Sequence, residues 1–284
     1  MAPFERTQGR QPRGAQAVFS CNYSAIYSES QCNHQVPAWS HTINDAACAE
    51  FCTFSDYGYR GTITSALHQQ GYWCDVISCE DSRLFYAGNG QQEVICFLND
   101  PVLAEIIKPK YYSIRYWRGV DVYGPFLTHY KLIRAALIAR VRQSTENKGS
   151  KVERWITGHG LGGATAQLFG YDLATRKLQA DHLVTFGAPM VGRDAWVDCF
   201  IHHYRDKARR YAYCADPVPQ QPAAEKGLQQ TGNLKFIDES GRINDSPPQW
   251  RRLPGEEPPQ GNLEEWPGHD ISVYCENLNK RQEQ

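Results

Sequence analysis

The chain has 284 residues, 41% of them apolar and 21% charged, and its 30 Lys and Arg against 31 Asp and Glu give a formal net charge of -1. That balance is ordinary for a globular protein and leaves no global field to recruit nucleic acid, so no nucleic-acid partner is expected. No stretch approaches the roughly 20 apolar residues that span a bilayer, so no transmembrane segment is expected either.

Residues 1–20 form a polar arm without the apolar core of a secretory signal. Arg6, Arg10 and Arg13 against Glu5 give it the composition of an organellar transit segment, and a plain polar arm fits equally. The localisation read from this is cytoplasmic or organellar, or secreted if a signal has been removed. Residues 21–284 are expected to form one domain whose N-terminal part, 21–90, is rich in cysteine. Six of the ten cysteines lie there: Cys21, Cys32, Cys48, Cys52, Cys74 and Cys79. Free buried thiols and disulfides both stay open as readings. The C-x3-C and C-x4-C spacings are looser than a zinc ribbon or finger, so no metal and no cofactor is expected.

In chain order, "DAACAEFCTF" has helical spacing, and regular alternation begins at "EVICF" (93–97), a buried strand by its β-branched content. A long amphipathic helix follows, with Phe126, Tyr130, Ile133, Leu137 and Val141 on one stripe. "VERWIT" is a strand, "LGGATAQLFGYDLATRK" a helix, "HLVTFG" a strand, "RDAWVDCFIHHYRDK" a helix and "ARRYAYCADPVP" a strand ending in a Pro-bounded loop. This alternation is the mark of a mostly parallel sheet with helices on both faces. "LKFIDESGRI" reads as a hairpin, the Pro- and Gly-dense stretch that follows as a surface excursion, and "HDISVYCENLNK" as a closing helix with Ile271, Tyr274, Cys275 and Leu278 on one face. The short basic runs "RYWRG" and "ARRY" read as solvated faces.

Between "VERWIT" and its helix stands "GHGLGG" (158–163). A strand joined to a helix through a turn with small flanking residues has the form of a nucleophile elbow, whose centre is normally a serine. Here the centre is Gly160.

The stretch "WITGHGLGGATAQLFGYDLA" resembles the elbow of the class 3 (fungal-type) lipases, which places Ser between His and Leu. "VTFGAPMVGRDAW" resembles that family's T-F-G-x-P-x-V-G segment, and "VYGPF" (122–126) its V-H-x-G-F, with Tyr123 in place of His and Pro125 at the usual glycine position. "YCADPVPQQP" resembles the loop carrying the triad acid, which implies Asp216, and "GHDISVY" the segment carrying the triad histidine, which implies His269. The resemblance runs from about Glu93 to the C-terminus and implies an α/β-hydrolase fold with Gly160, Asp216 and His269 at the catalytic positions.

Two departures bear on activity. Glycine has no atom that attacks a carbonyl, and losing a triad nucleophile costs on the order of 10⁶ in kcat, roughly 8 kcal/mol of barrier. The family resemblance also places the oxyanion positions at Leu161 and, after the 93–97 strand, at Asp100, where a hydroxyl donor belongs. Two negative charges about 4 Å apart repel by roughly 4 kcal/mol at an effective dielectric near 20, so an ionised Asp100 opposes an oxyanion. "YRGT" (59–62) spells the usual turn better, but no strand-like run precedes it, and the register through "EVICF" is preferred.

The leading reading is therefore a lipase-like scaffold that is catalytically inactive, a pseudoenzyme acting as a binding or assembly subunit. The alternative is a lipid or carboxylic ester hydrolase, either inactivated by an engineered Ser-to-Gly change or using water activated by His269 and Asp216. Asp216 as the first residue of a D-P turn, and His269 as a helix-end hydrogen bonder, are the plain structural readings. A protein partner or a lipid or acyl ligand is expected at the apolar and aromatic segment 101–119, through Val102, Leu103, Ile106, Ile107, Tyr111, Tyr112, Tyr116 and Trp117, with core packing as the plain reading.

Overall fold

The structure, a computed structural model, describes residues 42–55, 60–79, 82–98, 106–107, 111–148, 152–178, 180–222, 227–245, 266 and 268–282. The arm 1–20, the cysteines at 21 and 32, Asp100, expected at an oxyanion position, most of the aliphatic run 101–110 and the excursion 246–265 lie outside the described residues.

Helix α1 (Asp45–Cys52) begins at Asn44, whose side chain accepts the Ala47 N–H. Helix α2 (Arg60–Gln69) follows, so Arg60 to Thr62 of the "YRGT" motif open a helix instead of closing a strand. Strands β1 (Trp73–Cys79), β2 (Ser82–Gly88) and β3 (Gln92–Phe97) form an antiparallel meander. The first two are absent from the sequence reading, which finds no alternation before Glu93. A separate hairpin, β4 (Ile114–Trp117) and β5 (Val120–Tyr123), turns through Arg118 and Gly119, both at positive φ.

Helix α3 (Gly124–Lys148) then leads to β6 (Glu153–His159), α4 (Leu161–Ala174), β7 (His182–Phe186), α5 (Asp194–Tyr204) and β8 (Ala208–Tyr213). Strands β9 (Asn233–Ile237) and β10 (Ile243–Asn244) make the expected hairpin, and α6 (Ile271–Gln282) closes the chain. The main sheet has the order β1-β2-β3-β6-β7-β8-β9-β10, with β3, β6, β7, β8 and β9 parallel. This is the mostly parallel sheet of an α/β-hydrolase fold. Among the described residues no helix is long and apolar enough to cross a membrane.

Alternation along the central strands splits the core. Ile95, Phe97 and Ile156 face α3, α4 and α5, while Val94, Cys96 and Trp155 face α1, α2 and α6. The stripe Phe126, Tyr130, Ile133, Leu137 and Val141 is buried along its length, each such side chain contributing roughly 1.5–3 kcal/mol. Helix α4 is buried on every side, between the sheet and its neighbouring helices, which its small residues permit.

Two polar features tie these layers. Glu93, inside β3, receives hydrogen bonds from Tyr86 (2.6 Å), Ser144 and Arg154 (3.3 Å) and has no exposed surface. The "ARRY" run is not a solvated face: Arg209 makes a two-pronged pair with Asp45 at 2.6 and 2.7 Å, and Arg210 is only 7% exposed. These side chains stand on an internal strand, where both faces are covered. For "RYWRG" the expectation holds at Arg115 and Tyr116, which are exposed, whereas Arg118 pairs with Asp172 at 2.7 Å. No disulfide forms among the seven described cysteine side chains, of which Cys48, Cys52 and Cys96 pack behind β6. The Cys52 sulfur lies 3.8 Å from both the Cys96 sulfur and the Thr157 hydroxyl.

Removing one member of a buried ion pair strands the other, at a cost of about 3–5 kcal/mol. Arg154→Met is expected to lower urea-unfolding stability by that order, and Glu93→Leu added to it should recover most of the loss. If the single variant matches the wild type, the pair contributes nothing.

Candidate functional site

Strand β6 enters the turn so closely against α4 that side chains are excluded at its flanks. A Cβ on Gly158 would stand 2.3 Å from the Gly162 carbonyl carbon, and one on Gly162 would stand 2.1 Å from the Phe97 oxygen at the end of β3. Gly163 meets Ala188 in the same way at 2.7 Å. The central residue, Gly160, has φ 55 and ψ -119, a conformation essentially confined to glycine unless the surroundings enforce it. Its N–H donates to Phe186 O at 2.9 Å, and its carbonyl accepts the Ala164 N–H as the first bond of α4, which Leu161 opens. The turn thus has the strand–turn–helix geometry of a nucleophile elbow without a nucleophile.

Beyond the C-terminal ends of β7 and β8, the other two expected residues meet. Nδ1 of His269 lies 3.0 Å from both carboxylate oxygens of Asp216. A carboxylate accepts, so the imidazole bonds it as a donor through Nδ1 and leaves Nε2 as its other ring nitrogen. That Nε2 is buried and has no hydrogen-bond partner among the described residues. Asp216 is 1% exposed and accepts two further bonds, from the Val218 N–H at 2.9 Å and from the Tyr274 hydroxyl at 2.6 Å. The first is the turn expected of an Asp before Pro, so the structural and the triad-like arrangements coexist. Four contacts from three donors cover the desolvation of the carboxylate.

Tyr274 and Gly187 complete the pair, and sequence reasoning assigns neither a role there. Burial, together with the adjacent Asp216 carboxylate, pushes the Tyr274 hydroxyl well above its ordinary value, so it stays a donor. Gly187, at φ 56, lies against the pair, where a Cβ would come 2.5 Å from Asp216 Oδ2 and 3.2 Å from the His269 ring. Tyr274 lies on the α6 stripe already read as core, a pattern that hides its hydroxyl.

His159, the last residue of β6, stacks on His269 with ring centroids 4.4 Å apart and 30° between planes. Burial first, and His269 second, hold its pKa well below the ordinary histidine value, and its Nε2 also has no partner. Two buried imidazole nitrogens in this stack, Nε2 of His159 and of His269, thus have no hydrogen-bond partner among the described residues. Position 100, two residues beyond Leu98, lies outside the described residues, but the β3–β6 register pairs Phe97 with Gly158 and brings that strand's end to the elbow. Of the aromatic segment, Tyr116 is 77% and Tyr111 44% exposed, whereas Trp117 packs on Tyr130 and Tyr171, and Tyr112 on Tyr123. Among the described residues no group of three or more His, Cys, Asp or Glu is arranged to hold a metal ion.

With this geometry in place, comparison with known proteins is direct. The family model described as Lipase (class 3) matches residues 99–226. Similar solved structures include the Rhizomucor miehei lipase propeptide complex (22% identity over 70% of this chain and 68% of that one, TM-score 0.60). Lipase II from Rhizopus niveus is similar at 18% identity over 68% and 78%, TM-score 0.59. The lipase from Rhizopus microsporus var. chinensis is similar at 20% identity over 75% and 80%, TM-score 0.59. At these identities the likeness is one of fold. No curated protein matches the chain in sequence.

The depressed pKa of His159 has a signed consequence. Below about pH 6.5 the unfolded imidazole takes a proton that the folded one refuses, so stability falls as pH drops, by up to about 1.4 kcal/mol per pH unit for one proton. His159→Phe keeps a ring in the stack and removes the titration. Its unfolding free energy should therefore fall less steeply than the wild type's between pH 6.5 and 5; equal slopes would mean that His159 titrates normally.

Proposed function

We propose that this chain, whose residues 99–226 match the class 3 lipase model and whose fold is that of the α/β-hydrolases, belongs to that family as a pseudoenzyme: a lipase-like scaffold without serine-ester hydrolase activity that serves as a binding or assembly subunit. The observation that carries the reading is a His269, stacked on the His159 that precedes Gly160, whose Nε2 has no partner among the described residues, while Gly160 keeps the elbow backbone. In the triad mechanism that nitrogen takes the proton of the nucleophile, and Gly160 has no hydroxyl to give one. Asp216, Tyr274 and His269 then act as an internal brace between the end of β8 and helix α6.

The proposed oxyanion positions support the same reading. The Leu161 N–H remains at the start of α4, and the family resemblance puts Asp100, a carboxylate, where developing negative charge needs a donor. The exposed Tyr111 and Tyr116 supply the aromatic surface expected of a subunit that docks to a partner or an acyl ligand.

The test is turnover of short and medium p-nitrophenyl esters by the purified chain. Background rates are expected; a saturable rate abolished by His269→Ala would overturn the proposal and favour water activated by His269 and Asp216.

Gly160→Ser makes a separate prediction. It returns a Cβ to a positive-φ position, which costs roughly 1–3 kcal/mol in urea unfolding, and it should leave ester turnover near background because Asp100 still opposes the oxyanion. Robust turnover from this one change would place Asp100 elsewhere and identify an active hydrolase lacking only its hydroxyl.

A further inference from the structure

The face of the sheet turned away from α4 gathers sulfur. Helix α1 lies across β3 and β6 there, held by the Asp45–Arg209 pair and by the Ile43 N–H, which donates to Gln92 Oε1 at 2.8 Å. Two rings set its rotation: Phe51, and Phe54 just beyond the helix, each meet Phe85 of β2 edge-on at 5.7 Å between centroids. Phe85 pairs with Cys96 across β2 and β3, and Cys96 with Thr157 across β3 and β6. The last residue of α1, Cys52, comes down on those positions, its sulfur 3.8 Å from both the Cys96 sulfur and the Thr157 hydroxyl.

A buried thiol packs as a small apolar group, and a single cysteine needs no further account. Here two sulfurs from segments 44 positions apart stand in contact inside an apolar layer, Cys52 1% and Cys96 0% exposed. Bonded sulfurs are about 2.05 Å apart, so less than about 2 Å separates this pair from a covalent link. Cys48, one helical turn before Cys52 and also buried, could close only a ring within α1. A Cys52–Cys96 bond joins the helix to a central strand. Burial first, and Cys52 beside it, push the Cys96 thiol well above its ordinary value, so it is a poor nucleophile while α1 is seated.

We propose that Cys52 and Cys96 are a reversible disulfide pair, oxidised by a low-molecular-weight disulfide when α1 lifts from the sheet, and that the bond then clamps α1 to β3. One cysteine, as its thiolate, attacks a sulfur of the small disulfide. That S–S bond breaks, one small thiolate leaves and takes up a proton, and a mixed disulfide remains. The second cysteine attacks the protein sulfur of the mixed disulfide, the protein S–S bond forms, and a second small thiol departs. Two protein thiols have lost two electrons and two protons, and one small disulfide has gained both. An excess of small dithiol runs the sequence backwards.

The clamp acts on the strand that also seats the elbow, since the Phe97 oxygen at the end of β3 fills the place a Gly162 side chain would take. It forms whether or not the chain turns over esters.

The reduced full chain is incubated with oxidised glutathione, with and without urea below the unfolding transition, then alkylated, digested and mapped by mass spectrometry. A cross-linked pair of peptides carrying Cys52 and Cys96 is expected, formed several-fold faster in urea because local opening of α1 exposes the thiols. The bond closes a loop of 44 positions, so the oxidised chain should melt higher by roughly 5–10 °C, and dithiothreitol should restore the lower value. Cys52→Ala should show no such rise under the same treatment, which separates the clamp from mixed disulfides on other cysteines. The peptide map reads the wild type alone and stands even where that variant does not fold. Cys52 and Cys96 recovered as separate alkylated thiols, either one linked to another cysteine, a rate indifferent to urea, or a melting rise that Cys52→Ala shares overturns the proposal.

Discussion

Everything at the candidate site depends on one steric condition: backbone must touch backbone where β3, β6 and α4 converge. With hydrogen at the α-carbons of Gly158 and Gly162, the start of the helix can lie against the Phe97 carbonyl, and a single methyl group at either position would hold the three elements apart. That contact sets the sheet register between Phe97 and Gly158, aims the end of β3 at the turn and forces Gly160 into its positive-φ conformation. The backbone of the elbow is thus dictated by packing around it, whatever side chain its centre carries.

A second constraint is the desolvation of Asp216. A carboxylate with 1% exposure needs donors, and it takes them from a turn amide, from His269 and from Tyr274. The donors come from segments more than fifty residues apart, so the carboxylate gathers the end of β8, the approach to α6 and α6 itself. Gly187 contributes by having no side chain, since the pair occupies the space a Cβ would need. The Asp216–His269–Tyr274 arrangement therefore holds the sheet to its last helix. Its persistence beside a glycine needs no catalytic explanation.

The parts legible in the sequence are those written locally. The stripe from Phe126 to Val141, the β-branched run ending at Phe97 and the glycine spacing of 158–163 each state their structure within a few turns or strand residues, and all are found where expected. Strands β1 and β2 were not legible, because "WCDVISC" is half-buried along most of its length and mixes polar with apolar residues without a clean period. Nor was the fate of "ARRY": Arg209 meets Asp45 across 164 positions, and no local pattern announces such a partner. The proximity of Asp216 and His269 came from family resemblance. Tyr274, by contrast, was read only as a core residue, since a stripe of apolar spacing does not show that one of its members also donates a hydrogen bond.

The positive φ at Gly160 makes the elbow behave as a ratchet. Passing from serine to glycine at such a position releases backbone strain and leaves the turn intact, whereas the reverse step restores that strain before any hydroxyl can be useful. The strain that a serine would carry at this position is thus a barrier against placing one there. Whichever way the glycine arose, the fold itself favours keeping it.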